Sequence, residues 1–339
     1  MDLTTMSIDV AKNVFQLCGA NDRGRIVMRK RVQRGNLLTT VAQFFGSRIV
    51  MEACGSANYW AREFTQLGHE VKLISPQFVK PFVKGNKNDY RDAEAIMEAA
   101  HRPHMRFVVP KTVEQQDAQS VLRIREAYVT MRTKIVNQLR GLLAEYGHVV
   151  PRGIASLRKA LPRLFDRNSE NGLSVMMKEL LEMQYESLLS LDKKLMVLEE
   201  RLKSVAKKDE RCQRLMEIEG IGVISAVALV SLVGNGAGFK NGRHFAAFVG
   251  LVPRQHSSGN TQKLLGISKR GNEYMRRMLT HGARAVVIRS AGKVDRRSAW
   301  IQRLITERGM NRATVALANK NARIAMALLL SGERYRKTA

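Results

Sequence analysis

Met6-Ser7-Ile8-Asp9-Val10 reads as a β-strand that closes on a carboxylate, and its neighbours in sequence decide the fold of the first hundred residues. Val14-Phe15-Gln16-Leu17 reads as a second strand, Asn21-Asp22-Arg23-Gly24 as a turn, and residues 25–32 as a third strand, which together make a meander. Arg48-Ile49-Val50-Met51-Glu52 is a short strand of the buried type and again closes on an acid. A helix over 57–66 stops before Gly68, Glu70-Val71-Lys72-Leu73-Ile74 forms another strand ahead of Pro76, and a further helix is expected over 89–100.

Three strands followed by βα units is the order of a ribonuclease-H-like α/β domain, expected over residues 1–110. From 111 to 210 the pattern turns helical. Val121, Tyr128, Ile135 and Leu142 recur every seven residues, and Met177, Leu181, Leu188, Leu191, Leu195, Leu198, Leu202 and Val205 fill alternating heptad positions, with Gln184 the exception. Two long coiled-coil helices are expected, joined by a turn where Pro151, Pro162 and Asn171-Gly172 interrupt the pattern. They serve equally as a hairpin within one chain or as a dimerising arm. Residues 211–339 read as a mainly α-helical C-terminal domain, with helices near 242–249, 272–289, 298–308 and 312–330 and a loop over 253–266, so the fold class is α/β plus all-α.

The chain has 45% hydrophobic residues, enough for two ordinary cores, and a formal net charge of +27. The charge is uneven: residues 240–339 hold 21 Lys or Arg against four acids. A surface that meets phosphates gains affinity by releasing counterions, so this excess points to nucleic acid ahead of an anionic membrane. Cys18, Cys54 and Cys212 are odd in number and far apart, which argues against a disulfide framework or a cysteine-based zinc site and fits a reducing cytoplasm. The N-terminus lacks the order of an export signal, and the longest apolar stretch, Val223–Val233, is too short to span a bilayer, so a soluble, unexported protein without membrane partners is expected.

Within this basic chain four acids stand out. Asp9 and Glu52 close the first and fourth strands, while Asp89 and Asp92 stand three apart at a helix start, on one helical face. Neighbouring strand ends and one helix would bring all four together, and hydrolysis or transesterification of phosphodiesters by two divalent ions about 4 Å apart needs such a set. Hard oxygen ligands select Mg2+ or Mn2+. Taken singly, each acid would serve as well at a solvated strand end or as a helix cap; the joint order favours the metal site.

Two further segments carry chemistry. Glu219-Gly220-Ile221-Gly222 resembles the turn of a helix-hairpin-helix, in which backbone N–H groups at Gly220 and Gly222 meet a phosphate, although the same turn also serves plain helix packing. Gly250-Leu251-Val252-Pro253-Arg254-Gln255-His256-Ser257-Ser258-Gly259 runs on into Gly266-Ile267-Ser268-Lys269-Arg270-Gly271-Asn272. A serine beside a glycine lets phosphate approach closely, and Arg254, Lys269 and Arg270 could neutralise it, with Arg276 and Arg277 on the following helix. Ser-Ser-Gly alone is ordinary turn chemistry.

The set Ser-Ile-Asp9-Val-Ala-Lys, Met-Glu52-Ala-Cys-Gly, Lys-Asn-Asp89-Tyr-Arg-Asp92-Ala, Glu-Gly-Ile-Gly and Gly-Leu-Val-Pro-Arg-Gln-His-Ser-Ser-Gly, with Ser-Lys-Arg-Gly-Asn, resembles the DEDD transposases of the bridge-RNA-guided insertion-sequence family, relatives of the Piv-type DNA invertases. The resemblance spans nearly the whole chain. It implies a RuvC-like domain whose metal ligands are Asp9, Glu52, Asp89 and Asp92, a coiled coil, and a C-terminal transposase domain whose nucleophile is the serine before glycine, Ser258. The tandem Ser257-Ser258 leaves both hydroxyls to be tested. It further implies donor and target DNA as substrates, a noncoding bridge RNA as guide, a homo-oligomer (dimer or tetramer) with a composite active site, and a bacterial, cytoplasmic, nucleoid-associated setting. Two other readings stand beside it: a RuvC-type junction nuclease that uses water and leaves Ser258 idle, and a non-catalytic nucleic-acid-binding protein whose acids merely face solvent.

Overall fold

The first strand lies in the middle of a six-stranded sheet in this computed structural model, which describes residues 3–83, 89–166, 169–259 and 261–336. β1 (Thr5–Asp9), β2 (Val14–Ala20) and β3 (Ile26–Gln33) form the antiparallel meander. After α1 (Leu37–Ala42), β4 (Arg48–Glu52) pairs parallel with β1; after α2 (Ala57–Gln66), β5 (Glu70–Ile74) pairs parallel with β4. The chain then passes α3 (Pro76–Val79) and α4 (Asp89–Ala100) before the two-residue β6 (Phe107–Val108) closes the order β3-β2-β1-β4-β5-β6. The meander and parallel units expected from the sequence are present; α1, α3 and β6 are additions.

Alternation along the strands sorts the sheet's two faces. Met6, Ile8, Phe15, Leu17, Ile49 and Met51 pack with Trp60 and Phe64 of α2 in one apolar core. On the opposite face, Val50 and Ile74 pack against Ala95, Ile96 and Ala99, and Cys18 and Ala20 against Ala93 and Met97, all from α4. Alanines at 93, 95 and 99 let α4 lie close to the strands, and the buried Ser7 Oγ donates to Ala93 O at 2.6 Å.

Packing divides the chain into two compact units, Met1–Glu114 with Gly236–Lys240, and Gln115–Asn235 with Asn241–Ala339. In the second, α5 (Val113–Glu145) and α7 (Val175–Lys208) run antiparallel, with α6 (Ile154–Leu164) laid across one end. Ion pairs fix the direction: Arg125 to Glu199 at 2.7 Å and Arg132 to Asp192 at 3.2 Å. The hairpin therefore exists within one chain. On α7, Met177, Leu181, Leu188, Leu191, Leu195 and Leu202 are buried as the heptads require, whereas Leu198 is half-buried and Val205 exposed. On α5 the buried positions are Ala118, Leu122, Val136, Leu139 and Leu143, one residue beyond the heptad read from sequence. Continuing that spacing puts Arg125 and Arg132 in the seam, so their ion pairs hide the true apolar repeat while Val121, Tyr128, Ile135 and Leu142 flank it. Leu195 is 3% exposed. Leu195→Glu is expected to cost about 3 kcal/mol or more, since it buries an unpaired carboxylate, and chemical denaturation would measure the loss.

The remaining helices are α8 (Glu210–Met216), α9 (Val223–Val233), α10 (Gly242–Phe248), α11 (Glu273–Ile288), α12 (Arg296–Arg308) and α13 (Met310–Ser331). α13 packs against α8, α10, α11 and α12, burying Ala313, Leu317, Ala318, Ala325 and Leu329. The segment over 253–266, expected as a loop, is instead an exposed antiparallel hairpin of β7 (Pro253–Ser258) and β8 (Thr261–Ile267). Its strands are exposed almost throughout, and Leu264, Leu265 and Ile267 fall on both faces, so no regular apolar alternation announces them.

The Gly220 turn joins α8 to α9 as expected, but its tightest neighbour is protein: a Cβ on Gly282 of α11 would stand 1.8 Å from Gly220 O. Gly282→Ala is expected to destabilise the unit by about 1–3 kcal/mol through overpacking. Gly141→Ala, with nothing within 4 Å on α5, should leave the melting temperature equal or higher. Thermal melts of the two variants check this. Among the described residues no helix is long and apolar enough to cross a membrane.

Candidate active site

The face of the sheet covered by α4 carries the acids. Ser7 reaches Ala93 of α4, and Asp9, two residues on, projects to the same side. Val50 packs on α4, and Glu52 follows it by the same alternation. Asp92 stands beside Ala93 in the first turns of α4. Two strand ends and one helix start thus bring Asp9, Glu52 and Asp92 to one region, all half-buried. Asp89 opens α4, but its side chain lies outside the described residues, as do Lys87 and Asn88 of its motif.

Electrostatics reports the crowding. Burial, and then the charge of Asp92, raise the Glu52 carboxyl above its ordinary pKa. Cys54 lies between the strand ends, its Sγ 3.9 Å from Val10 O, and burial followed by the charges of Glu52 and Asp9 raises its thiol as well. Carboxylates close enough for one to raise another's pKa form the kind of local field a bound metal would invert. Among the described residues, no group of three or more His, Cys, Asp or Glu stands at metal-holding distances. The donor chemistry nevertheless fits a hard divalent cation: carboxylates, plus Gln16. That residue is paired in register with Asp9 and hence on the same face, it is 4% exposed, and its Oε1 has no hydrogen-bond partner. An orphaned buried oxygen beside a carboxylate is available to a cation or to a water it holds. Sequence reasoning missed Gln16 because a neutral amide within a strand resembles neither core nor ligand.

The serine segment is placed differently. Ser257 and Ser258 end β7 at the hairpin tip, in the second unit. Adjacent residues of a strand point to opposite faces. Ser257 shares its face with Gln255, whose Nε2 donates to Ser257 Oγ at 2.9 Å, and with Gln262. Ser258 shares the other face with His256, Thr261 and Lys263. At the foot of the hairpin a Cβ on Gly271 would stand 1.7 Å from Phe248 O, so glycine there lets the ribbon root tightly against α10.

The cations around it divide into two groups. Arg254, Lys269 and Arg270 have exposed side chains. Arg276 instead donates to Val249 O at 3.1 Å and Arg270 O at 3.0 Å, and Arg277 pairs with Glu126 at 2.6 Å. At the Gly220 turn, Glu219 O accepts from Asn321 Nδ2 at 2.9 Å and from Arg297 at 3.0 Å, so this backbone is tied to α12 and α13. Gly222 caps α9 with open space around it.

Comparison with known proteins converges with this geometry. Residues 6–148 match a transposase family of the DEDD IS110 type, and residues 212–299 match the family described as Transposase IS116/IS110/IS902 family. The chain is 49% identical to the transposase for insertion sequence element IS1111A of Coxiella burnetii, over 99% of this chain and 92% of that protein. It is 46% identical to a probable family 20 transposase of Pseudomonas aeruginosa, over 99% of both. A more distant likeness, 22% identity over 94% of this chain and 92% of the relative, joins it to the pilin gene-inverting protein of Moraxella lacunata. Identity of this extent over whole chains, together with the acid-bearing strand ends, shows that the chain belongs to the IS116/IS110/IS902 family of transposases and is a DNA transposase.

Proposed function

We propose that this protein is an RNA-guided recombinase that excises and inserts its own mobile element, with Asp9, Glu52, Asp89 and Asp92 holding Mg2+ or Mn2+ and Ser258 attacking DNA. The observation that carries the reading is the gathering of Asp9, Glu52 and Asp92 on the α4 face, with Glu52 perturbed by Asp92. Burial and mutual repulsion of carboxylates at one sheet end cost stability, as expected of a functional site. When bound, divalent ions supply Lewis acidity at the scissile phosphate. The protein's own part is to fix the carboxylates on rigid strand ends, to keep Gln16 Oε1 beside Asp9, and to present the Ser258 hydroxyl at the tip of the β7–β8 ribbon.

The functional division is residues 1–110 as the DEDD domain, 111–210 as the coiled-coil region and 211–339 as the transposase domain. Because the acids and Ser258 lie in different units, the two must meet across a domain or subunit boundary, and assembly on DNA, as a homo-oligomer where the boundary is between subunits, completes the enzyme. Arg254, Lys269 and Arg270 are the phosphate contacts beside the nucleophile, with the open N-terminus of α9 at Gly222 a further one. Arg276 and Arg277 are further phosphate contacts on the following helix, and they also hold the root of the ribbon and α11 in place. The bridge RNA is carried by the family resemblance, and the +27 charge supplies the polyanion affinity it requires.

The test is recombination in vitro between donor and target plasmids by purified protein, with and without its copurifying RNA and with Mg2+ or EDTA. Product is expected only with RNA and Mg2+ together. Equal target choice by RNA-free protein would overturn the guide, and product in EDTA would overturn the metal site.

A further inference from the structure

Where α10, α12 and α13 meet, the second unit has a concave surface of about 770 Å³ that the transposition chemistry does not use. α13 buries one face in the bundle and turns Asn319, Lys320 and Arg323 outward. The start of α10 crosses it at Gly242, where a Cβ would stand 2.7 Å from Arg323 O; only glycine lets the two backbones touch. The floor is therefore close-packed. Trp300 of α12, half-buried, forms one wall, and Arg243 stands at the rim.

Charge and aromaticity coincide here. Lys320 Nζ lies 4.5 Å from the centroid of the Trp300 ring. Its further charged neighbours, Arg297 and Arg296, are also cations, and burial together with their charge holds its ammonium below the usual lysine value. Among the described residues no carboxylate lies within ion-pair reach of Arg243, Lys320 or Arg323. A cation over an indole is a common surface pair and needs no ligand. That pair does not explain three unneutralised cations around a concave wall, which repel one another until an anion arrives. An aromatic ring among phosphate-seeking cations is the arrangement that binds an unpaired nucleotide, since a base within duplex has its faces covered by its neighbours. The size falls in the usual range for a ligand site, about 300–1,000 Å³.

We propose that Trp300, Lys320, Arg243 and Arg323 form a subsite for one unpaired nucleotide of a bound nucleic acid strand, the base taking the place of the Lys320 ammonium over the indole while that ammonium, Arg243 and Arg323 take the flanking phosphates. The inference rests on the nucleic-acid-binding part of the proposed function and is independent of the acids and of Ser258. The strand is either guide RNA or DNA opened during the reaction, which share this chemistry.

The chain has two tryptophans, and Trp60 is 3% exposed, so Trp300 fluorescence reports on the subsite. Full-length protein is titrated with oligothymidylate, oligouridylate and a blunt duplex of equal length at fixed salt. Quenching is expected from the single strands and not from the duplex, and Trp60→Phe should keep it. The stronger quencher of the two single strands identifies the natural occupant as DNA or RNA. Trp300→Ala is expected to weaken single-strand binding about 5- to 150-fold, the range for one stacked base, with duplex binding unchanged. Should Trp300→Ala misfold, Arg323→Gln with Lys320→Gln must show the same selective loss. Equal quenching by duplex, or unchanged single-strand affinity in these variants, overturns the subsite. The recombinase reading fails separately, through loss of metal- and RNA-dependent product with single-strand binding intact.

Discussion

Asp92→Asn is expected to lower strand cleavage and joining by about 10³-fold or more, while the protein melts at the same temperature or higher at neutral pH. The activity loss follows from the proposed metal site, in which Asp92 is one of four carboxylates that would fix the reacting geometry. The stability result follows from Glu52. Its folded-state pKa is raised, so the folded chain holds that proton more tightly than the unfolded chain. Stability is then lost as pH rises through the carboxylate range, and the whole penalty is present at neutral pH. A neutral amide at position 92 would remove the Coulombic part of it, leaving burial. Mg2+ should raise the melting temperature of wild type by mass action and do so far less in the variant. Melts from pH 4 to 8 with and without Mg2+, beside a strand-transfer assay, make the check; wild-type transfer by Asp92→Asn would remove Asp92 from the site.

The sheet was legible because its strands carry a one-sided signal. Met6 and Ile8 alternate with Ser7 and Asp9, and the alternation survives burial of both faces because α4 meets small and polar residues. Asp9 and Glu52 could be placed from their strand ends, since a residue at the close of a buried strand has little freedom of direction, and Asp92 from the start of α4. The α5 seam was less legible, because Arg125 and Arg132 occupy apolar positions and find their partners some 60–74 residues away on α7. Such long-range pairing leaves no local trace. The β7–β8 hairpin was illegible for a third reason. It is held by backbone hydrogen bonds between exposed strands without apolar alternation, and its rooting depends on Gly271 meeting Phe248 O rather than on any hydrophobic pattern. Gln16 illustrates the same limit at the scale of one atom: only the register with Asp9 gives its amide oxygen a meaning.

That hairpin decides the second large effect. Ser258→Ala is expected to bind nucleic acid and assemble normally yet form no denaturant-resistant protein–DNA adduct, whereas Ser257→Ala should keep the adduct. A neutral serine needs activation, and no Ser-His-Asp arrangement is present among the described residues of the ribbon to supply it. The choice between the two hydroxyls turns on the pleat. Ser257 Oγ already accepts from Gln255 and faces the side shared with Gln262 and Leu264, which carries no charge. Ser258 faces the side of His256 and Lys263, where a phosphate would be drawn against the strand and its charge offset. Both serines are exposed, so replacing either by alanine removes no packing and should leave stability within about 0.5 kcal/mol. An altered melt therefore cannot masquerade as a catalytic loss. Trapping reactions with radiolabelled donor DNA, resolved under denaturing conditions, read the adduct directly; a labelled band in Ser258→Ala, or its disappearance only in Ser257→Ala, assigns the attack to the other hydroxyl and turns the productive face of the ribbon around.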